Sequence, residues 1–165
     1  MPDRTPLNPQ LVGTLQGKGY RVEKIIFESR PGFHVTANLY LPESPPPWPA
    51  VIVPVGHSHD GKASGSYQRT CILLARHGMA AMCYDPVGQG ERYQMLDLTN
   101  TRTHFVESAG RTPVPHPNVQ YLCTIEHTHI GLGSALLGAN VAAVPDLGWH
   151  ARHRLSAKPP RHPRR

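Results

Sequence analysis

Two short tracts concentrate the residues able to bind a metal ion or move a proton: Gly56-His57-Ser58-His59-Asp60 and Glu126-His127-Thr128-His129. Together they offer four histidines and two carboxylates, all competent metal ligands. The His-x-His spacing places both rings of a pair on one face of an extended segment. Neither tract carries a strong zinc spacing such as HExxH, and a chain with eleven histidines produces such pairs by chance. They read as loop or surface histidines. No metal and no cofactor is assigned, and a metal-binding, histidine-rich protein stands as an alternative function. Nucleophilic chemistry would need a serine on a GxSxG elbow. Ser58, Ser64, Ser66 and Ser134 lie near glycines, but none has that spacing. Gly88-Gln89-Gly90 lacks the third glycine of a dinucleotide fingerprint.

The elements that must carry these tracts follow from periodicity. Tyr20 to Phe27 reads as a strand, and Arg30-Pro31-Gly32 as a turn. In Phe33 to Leu41, apolar Phe33, Val35, Ala37, Leu39 and Leu41 alternate with His34, Thr36 and Asn38. Two such runs around a short turn predict an antiparallel hairpin. After a proline-rich connection, Ala50 to Val55 is continuously apolar, as in a strand buried on both faces of a mostly parallel sheet; Pro54 conflicts mildly with this. A polar loop from Gly56 to Ser66, a helix over about Tyr67 to His77 with Gly78 as its stop, and a strand over Met79 to Tyr84 complete a βαβ unit. Glu91 to Thr128 reads as a long excursion at the C-terminal edge of the sheet, and Gly131 to Val144 as a small-residue helix.

Composition bounds the partners. The 165 residues include eighteen prolines and fifteen glycines and form one core-bearing domain. No apolar run approaches the roughly 20 residues of a bilayer span, so no membrane partner is expected. No signal peptide is visible after Met1, which makes the cytoplasm the default expectation. Cys71, Cys83 and Cys123 show no CxxC spacing, and Cys71 and Cys83 read as small core residues. Of the net charge of +6, +5 falls after Pro145, where six basic residues face the single acid Asp146. The basicity belongs to the tail, not to a folded face. Nucleic acid is not expected as a partner, and a non-catalytic module binding through its basic tail is a second alternative.

The hairpin, then Pro54-Val55-Gly56-His57-Ser58, the helix, and Asp85-Pro86-Val87-Gly88-Gln89-Gly90-Glu91-Arg92 resemble the N-terminal half of α/β-hydrolases. The nearest kind is bacterial esterases akin to acetylxylan esterases and cephalosporin deacetylases, over about residues 12 to 144. The fold class this implies is α/β: the N-terminal half of an α/β-hydrolase sheet, an antiparallel hairpin followed by a βαβ unit, incomplete. The resemblance implies serine carboxylic-ester hydrolysis on a small ester or acetylated carbohydrate. It makes the backbone N–H of His57 or Ser58 the oxyanion donor, worth a few kcal/mol in the transition state. It gives Gly56, Asp85, Gly88 and Gly90 the task of shaping the loops, with Asp85 accepting backbone hydrogen bonds rather than acting as a catalytic acid.

The family's serine, acid and histidine have no counterpart in these residues, so the chain alone is expected to be inactive. From Pro145 the composition changes abruptly to Pro, Arg and His. Back-translation shifted by one nucleotide lets Asp146 to Pro160 read Ile-Trp-Asp-Gly-Met-Arg-Ala-Ile-Asp-Tyr-Leu-Leu-Ser-Arg-Pro. That peptide is amphipathic, ends before a proline, and is what the resembled family carries here. The expected division is a partial domain over 1–144 and a frameshifted or disordered basic tail over 145–165. Without the nucleophile strand, the Ala50 strand becomes an exposed apolar edge and a route to aggregation.

Overall fold

A computed structural model describes residues 5–94, 105–106, 114–115 and 122–138. Seven strands and two helices follow in order: β1 (Gln10–Gly17), β2 (Tyr20–Arg30), β3 (Phe33–Pro42), β4 (Ala50–Val53), α1 (Gly65–Arg76), β5 (Ala80–Tyr84), β6 (Phe105–Val106), β7 (Val114–Pro115) and α2 (Leu122–Leu136). A short 3-10 turn, Gly61–Ala63, precedes α1. The main sheet has the order β1-β2-β3-β5-β4. The first three strands form an antiparallel meander, β5 adds antiparallel to β3, and β4 closes the sheet parallel to β5. β6 and β7 pair with each other in a separate ribbon.

Strand parity divides the core between the two faces of the sheet. One face gathers Ile25, Phe27, Val35, Ala37, Met82 and Tyr84, with Leu7, Leu39 and Ile52 against them. The other gathers Val22, Tyr40, Ala81 and Cys83 under Cys71 and Ala75 of α1. This is the expected α/β arrangement, hairpin first and then β4-α1-β5. Strand β5, between β3 and the edge strand β4, is buried at every residue.

One strand was not foreseen and three expectations are corrected. β1 has no alternation to announce it: Leu11, Val12 and Leu15 are exposed, and it holds to β2 through its backbone with a register shift between Leu11 and Gly13. β4 is not buried on both faces. Ala50 is exposed, its three valine and isoleucine neighbours are half-buried, and among the described residues it pairs with β5 alone. It also ends at Val53, so the proline conflict at Pro54 disappears. The last helix runs over Leu122–Leu136 instead of Gly131 to Val144, so the expected excursion already ends in helix. The start was missed because His127, Thr128 and His129 look like loop residues until their partners are known. Residues 95–104, 107–113, 116–121 and the tail after 138, including the 144/145 boundary, lie outside the described residues.

Candidate functional site

β4 and β5 are parallel, so the loops after both emerge at the same end of the sheet, where open α/β folds place their ligands. The first loop carries Gly56 to Ser64 and the second Asp85 to Gln94. Asp85, with no solvent exposure, ties them together. Its Oδ1 accepts the backbone N–H of Lys62 at 2.7 Å. Its Oδ2 accepts the Thr36 hydroxyl at 2.6 Å and the Glu91 N–H at 3.3 Å. The Lys62 ammonium, itself buried, pairs with both Asp85 and Glu91. One carboxylate thus serves β3, the first loop and the second loop.

Two glycines make room for it. Gly61 (φ 54°) and Gly90 (φ 57°) lie in the left-handed region. A Cβ on either would stand 2.1 Å or 2.3 Å from Asp85 Oδ1. Side chains are excluded there both by backbone conformation and by space.

The second loop also grips the first above Asp85. Buried Gln89 accepts the Ser58 N–H through Oε1 at 2.6 Å. The Gly90 N–H and the Tyr93 hydroxyl both donate to the His59 carbonyl, at 3.1 Å and 3.0 Å. Burial pushes the Tyr93 hydroxyl up from its ordinary range, so it stays a donor. Arg92 donates from Nη1 to the Asp85 carbonyl at 2.9 Å. The Gly56 N–H donates to the Tyr67 hydroxyl of α1 at 2.9 Å. Of the two oxyanion candidates, the Ser58 amide is therefore engaged. Among the described residues the His57 amide donates to no acceptor.

α2 closes the site from the side. Buried Glu126 accepts the Gln94 N–H at 2.9 Å and packs beside Gly88, where a Cβ would come within 2.8 Å of its carboxylate. The next residue of the helix, His127, faces the first loop. Its Nε2–H donates to the Val87 carbonyl at 2.7 Å, which leaves Nδ1 to accept from His57 Nε2 at 2.8 Å. Cys123 lies one turn earlier and is buried. The nitrogen and sulfur atoms of His57, Cys123 and His127 all lie within 4.8 Å of one another. Burial pushes the Cys123 thiol up, opposed by the Ser58 backbone N–H and reinforced by the Glu126 charge.

The histidine tracts meet, but only in part. His57 and His127 come together, while His59 pairs with Asp60 at 3.2 Å and His129 bonds the Ile125 carbonyl of its own helix at 2.9 Å. Sequence reasoning missed Lys62, Gln89 and Cys123, and had Glu126 only as a possible metal ligand. The Cys-x-x-x-His spacing of Cys123 and His127 puts both on one helix face, a signal lost once the helix was expected to start at Gly131.

No family model and no curated protein matches the chain. Solved structures do. A methylesterase is similar over 77% of this chain and 26% of its own, at 25% identity and a TM-score of 0.50. Acetyl xylan esterase 1 from Thermoanaerobacterium sp. is similar over 66% of this chain and 31% of its own, at 16% identity and a TM-score of 0.46. An acetyl xylan esterase from Paenibacillus sp. is similar over 73% and 38%, at 18% identity and a TM-score of 0.43. The fold is esterase-like α/β, and the chain spans about a quarter of the methylesterase's length.

Proposed function

We propose that the chain carries the oxyanion-hole half of a serine carboxylic-ester hydrolase acting on small esters, acetylated carbohydrates among them. The observation that supports this most is the His57 amide. It sits in the loop after β4 with no acceptor among the described residues, in a loop fixed from below by Asp85 and from the side by Gln89. A backbone N–H held this way needs little reorganisation when charge develops on a carbonyl oxygen, and one such donor is worth about 3 kcal/mol. The hole needs a second donor, the N–H of the residue after the nucleophile, and the acyl-enzyme route needs the serine itself.

Neither lies within the 165 residues, which contain no GxSxG. The chain as given binds an ester at most and does not turn it over. We assign residues 1–144 to the partial hydrolase domain and residues 145–165 to a shifted reading frame beginning near Val144. The edge strand β4 is where the nucleophile strand would pair.

The test is to sequence the encoding DNA from the codon for Ala135 to well past Arg165, and to assay p-nitrophenyl acetate hydrolysis before and after restoring the frame. The expected result is a shifted frame that runs into GxSxG and then downstream Asp and His. The given chain should stay at the buffer rate, and the repaired chain should lose its activity when the new serine becomes alanine. Hydrolysis by the given chain, or a confirmed frame with no such continuation, overturns the proposal.

A further inference from the structure

We propose that His57 Nε2, Cys123 Sγ and His127 Nδ1 form a three-ligand site for a thiophilic divalent cation, zinc by its donor set, with the fourth position open to solvent. The inference goes beyond ester hydrolysis and does not depend on it.

The three donors converge from two separate elements: His57 from the loop after β4, and Cys123 and His127 from adjacent turns of α2. Two imidazoles and a thiolate suit zinc, which takes four ligands at about 2.0–2.3 Å, so its ligand atoms lie roughly 3.3–3.7 Å apart. Here the two ring nitrogens are 2.8 Å apart and all three ligand atoms fall within 4.8 Å. The histidines must open slightly and the sulfur must move in.

The orientation of His127 supports this further. A metal-bound histidine ordinarily gives its other ring N–H to a carbonyl or carboxylate, which fixes the tautomer. His127 Nε2–H already donates to the Val87 carbonyl, so the lone pair of Nδ1 points into the cluster. On binding, the metal–sulfur bond replaces the thiol S–H bond and that proton passes to solvent, while His57 moves its ring proton from Nε2 to Nδ1 so that the Nε2 lone pair meets the ion. His57 is exposed and gives the ion a way in.

The neighbouring candidates are already engaged. His59 is paired with Asp60, His129 with its own helix, and Glu126 with the Gln94 amide. The site therefore takes one histidine from each tract and a cysteine from neither.

The test is cobalt(II) titration of the full chain, followed by competition with zinc. The expected result is one equivalent of cobalt with a sulfur-to-cobalt charge-transfer band in the near ultraviolet and the intense visible bands of a four-coordinate ion. Cys123→Ser should abolish the sulfur band. His127→Ala and His57→Ala should each weaken cobalt binding at least about tenfold, the lower bound for losing even an outer partner. His129→Ala should leave it unchanged. If Cys123→Ser fails to fold, the exposed His57→Ala variant decides. Binding without a sulfur band marks adventitious coordination by the chain's other histidines and overturns the site. So does a sulfur band that persists in Cys123→Ser, or affinity unchanged by His57→Ala.

Discussion

Neutralising Asp85 should loosen both site loops at once, and by an amount the structure fixes. In Asp85→Asn the shape is kept and Oδ1 can still accept the Lys62 N–H, but the charge is gone. The Lys62 ammonium, 9% exposed at its side chain, then keeps only Glu91, whose side chain is 68% exposed. Breaking a buried pair by removing one partner costs about 3–5 kcal/mol. The retained Glu91 contact and amide hydrogen bonds reduce this to about 2–3 kcal/mol. At the urea dependence of a small domain, the unfolding midpoint should fall by about 1–2 M, read by far-ultraviolet circular dichroism at low protein concentration. Lys62→Met removes the other charge at similar volume. The double variant should then be less destabilised than the sum of the single ones, with a coupling of about 1–3 kcal/mol. A midpoint for Asp85→Asn that matches the parent chain, or zero coupling to Lys62, would refute the clamp.

Three further outcomes follow from the packing of the same loops and strands. Gly61→Ala and Gly90→Ala should each cost about 3 kcal/mol or more, while Gly32→Ala, at φ 73° with nothing within 4 Å of its Cβ, should cost only the left-handed penalty of about 1–2 kcal/mol; equal urea midpoints for the three would remove the steric argument. Burial pushes the Tyr40 hydroxyl up to about 12, above its unfolded value near 10, so its contribution is complete below pH ~10 and is lost as pH rises through about 12, by up to about 3 kcal/mol. Tyr40→Phe should flatten that alkaline decline in urea midpoints, and an unchanged profile would assign the decline elsewhere. The edge strand should make the chain self-associate: Val51 belongs to neither core cluster, so Val51→Lys should raise the monomer fraction in sedimentation velocity, whereas a parent chain that is already monomeric and melts cooperatively would sink the idea.

The hairpin and the βαβ unit were legible because each rests on local periodicity with one competing reading at most. Val35 and Ala37 alternate with Thr36 and Asn38, and that alternation alone assigns the faces of β3. β1 was not legible because its apolar residues, Leu11, Val12 and Leu15, point to solvent and its stability comes from a ladder to β2. Burial of β4 was misjudged for a different reason. A continuous apolar run reports how many faces a strand can bury, but how many it does bury depends on its neighbours in the sheet. The start of α2 failed because polarity was taken as a loop signal. Glu126 and His127 are polar residues on the inward face of a helix, paid for by Gln94 and Val87, which are remote in sequence.

The site divides along the same line. The loop-shaping part of Asp85, Gly88 and Gly90 came from the family resemblance, which rests on a local demand, the chain's sharp reversal at the end of β5. Lys62 and Gln89 could not be read that way, because each acts by filling a partner more than twenty residues away. That division also decides between the oxyanion donors. The two amides at His57 and Ser58 are equivalent in sequence, adjacent and after the same glycine. The buried Gln89 separates them by accepting from Ser58, while the His57 N–H meets no acceptor among the described residues. If that carbonyl acceptor is the reason, Gln89→Leu should orphan the Ser58 amide, destabilise the chain by about 1–3 kcal/mol, and let the loop turn. In a chain with its serine restored, the loss should fall on kcat more than on KM, since a donor aimed at the developing oxyanion acts in the transition state. A loss confined to KM would mean that the loop holds the substrate and contributes nothing to the hole.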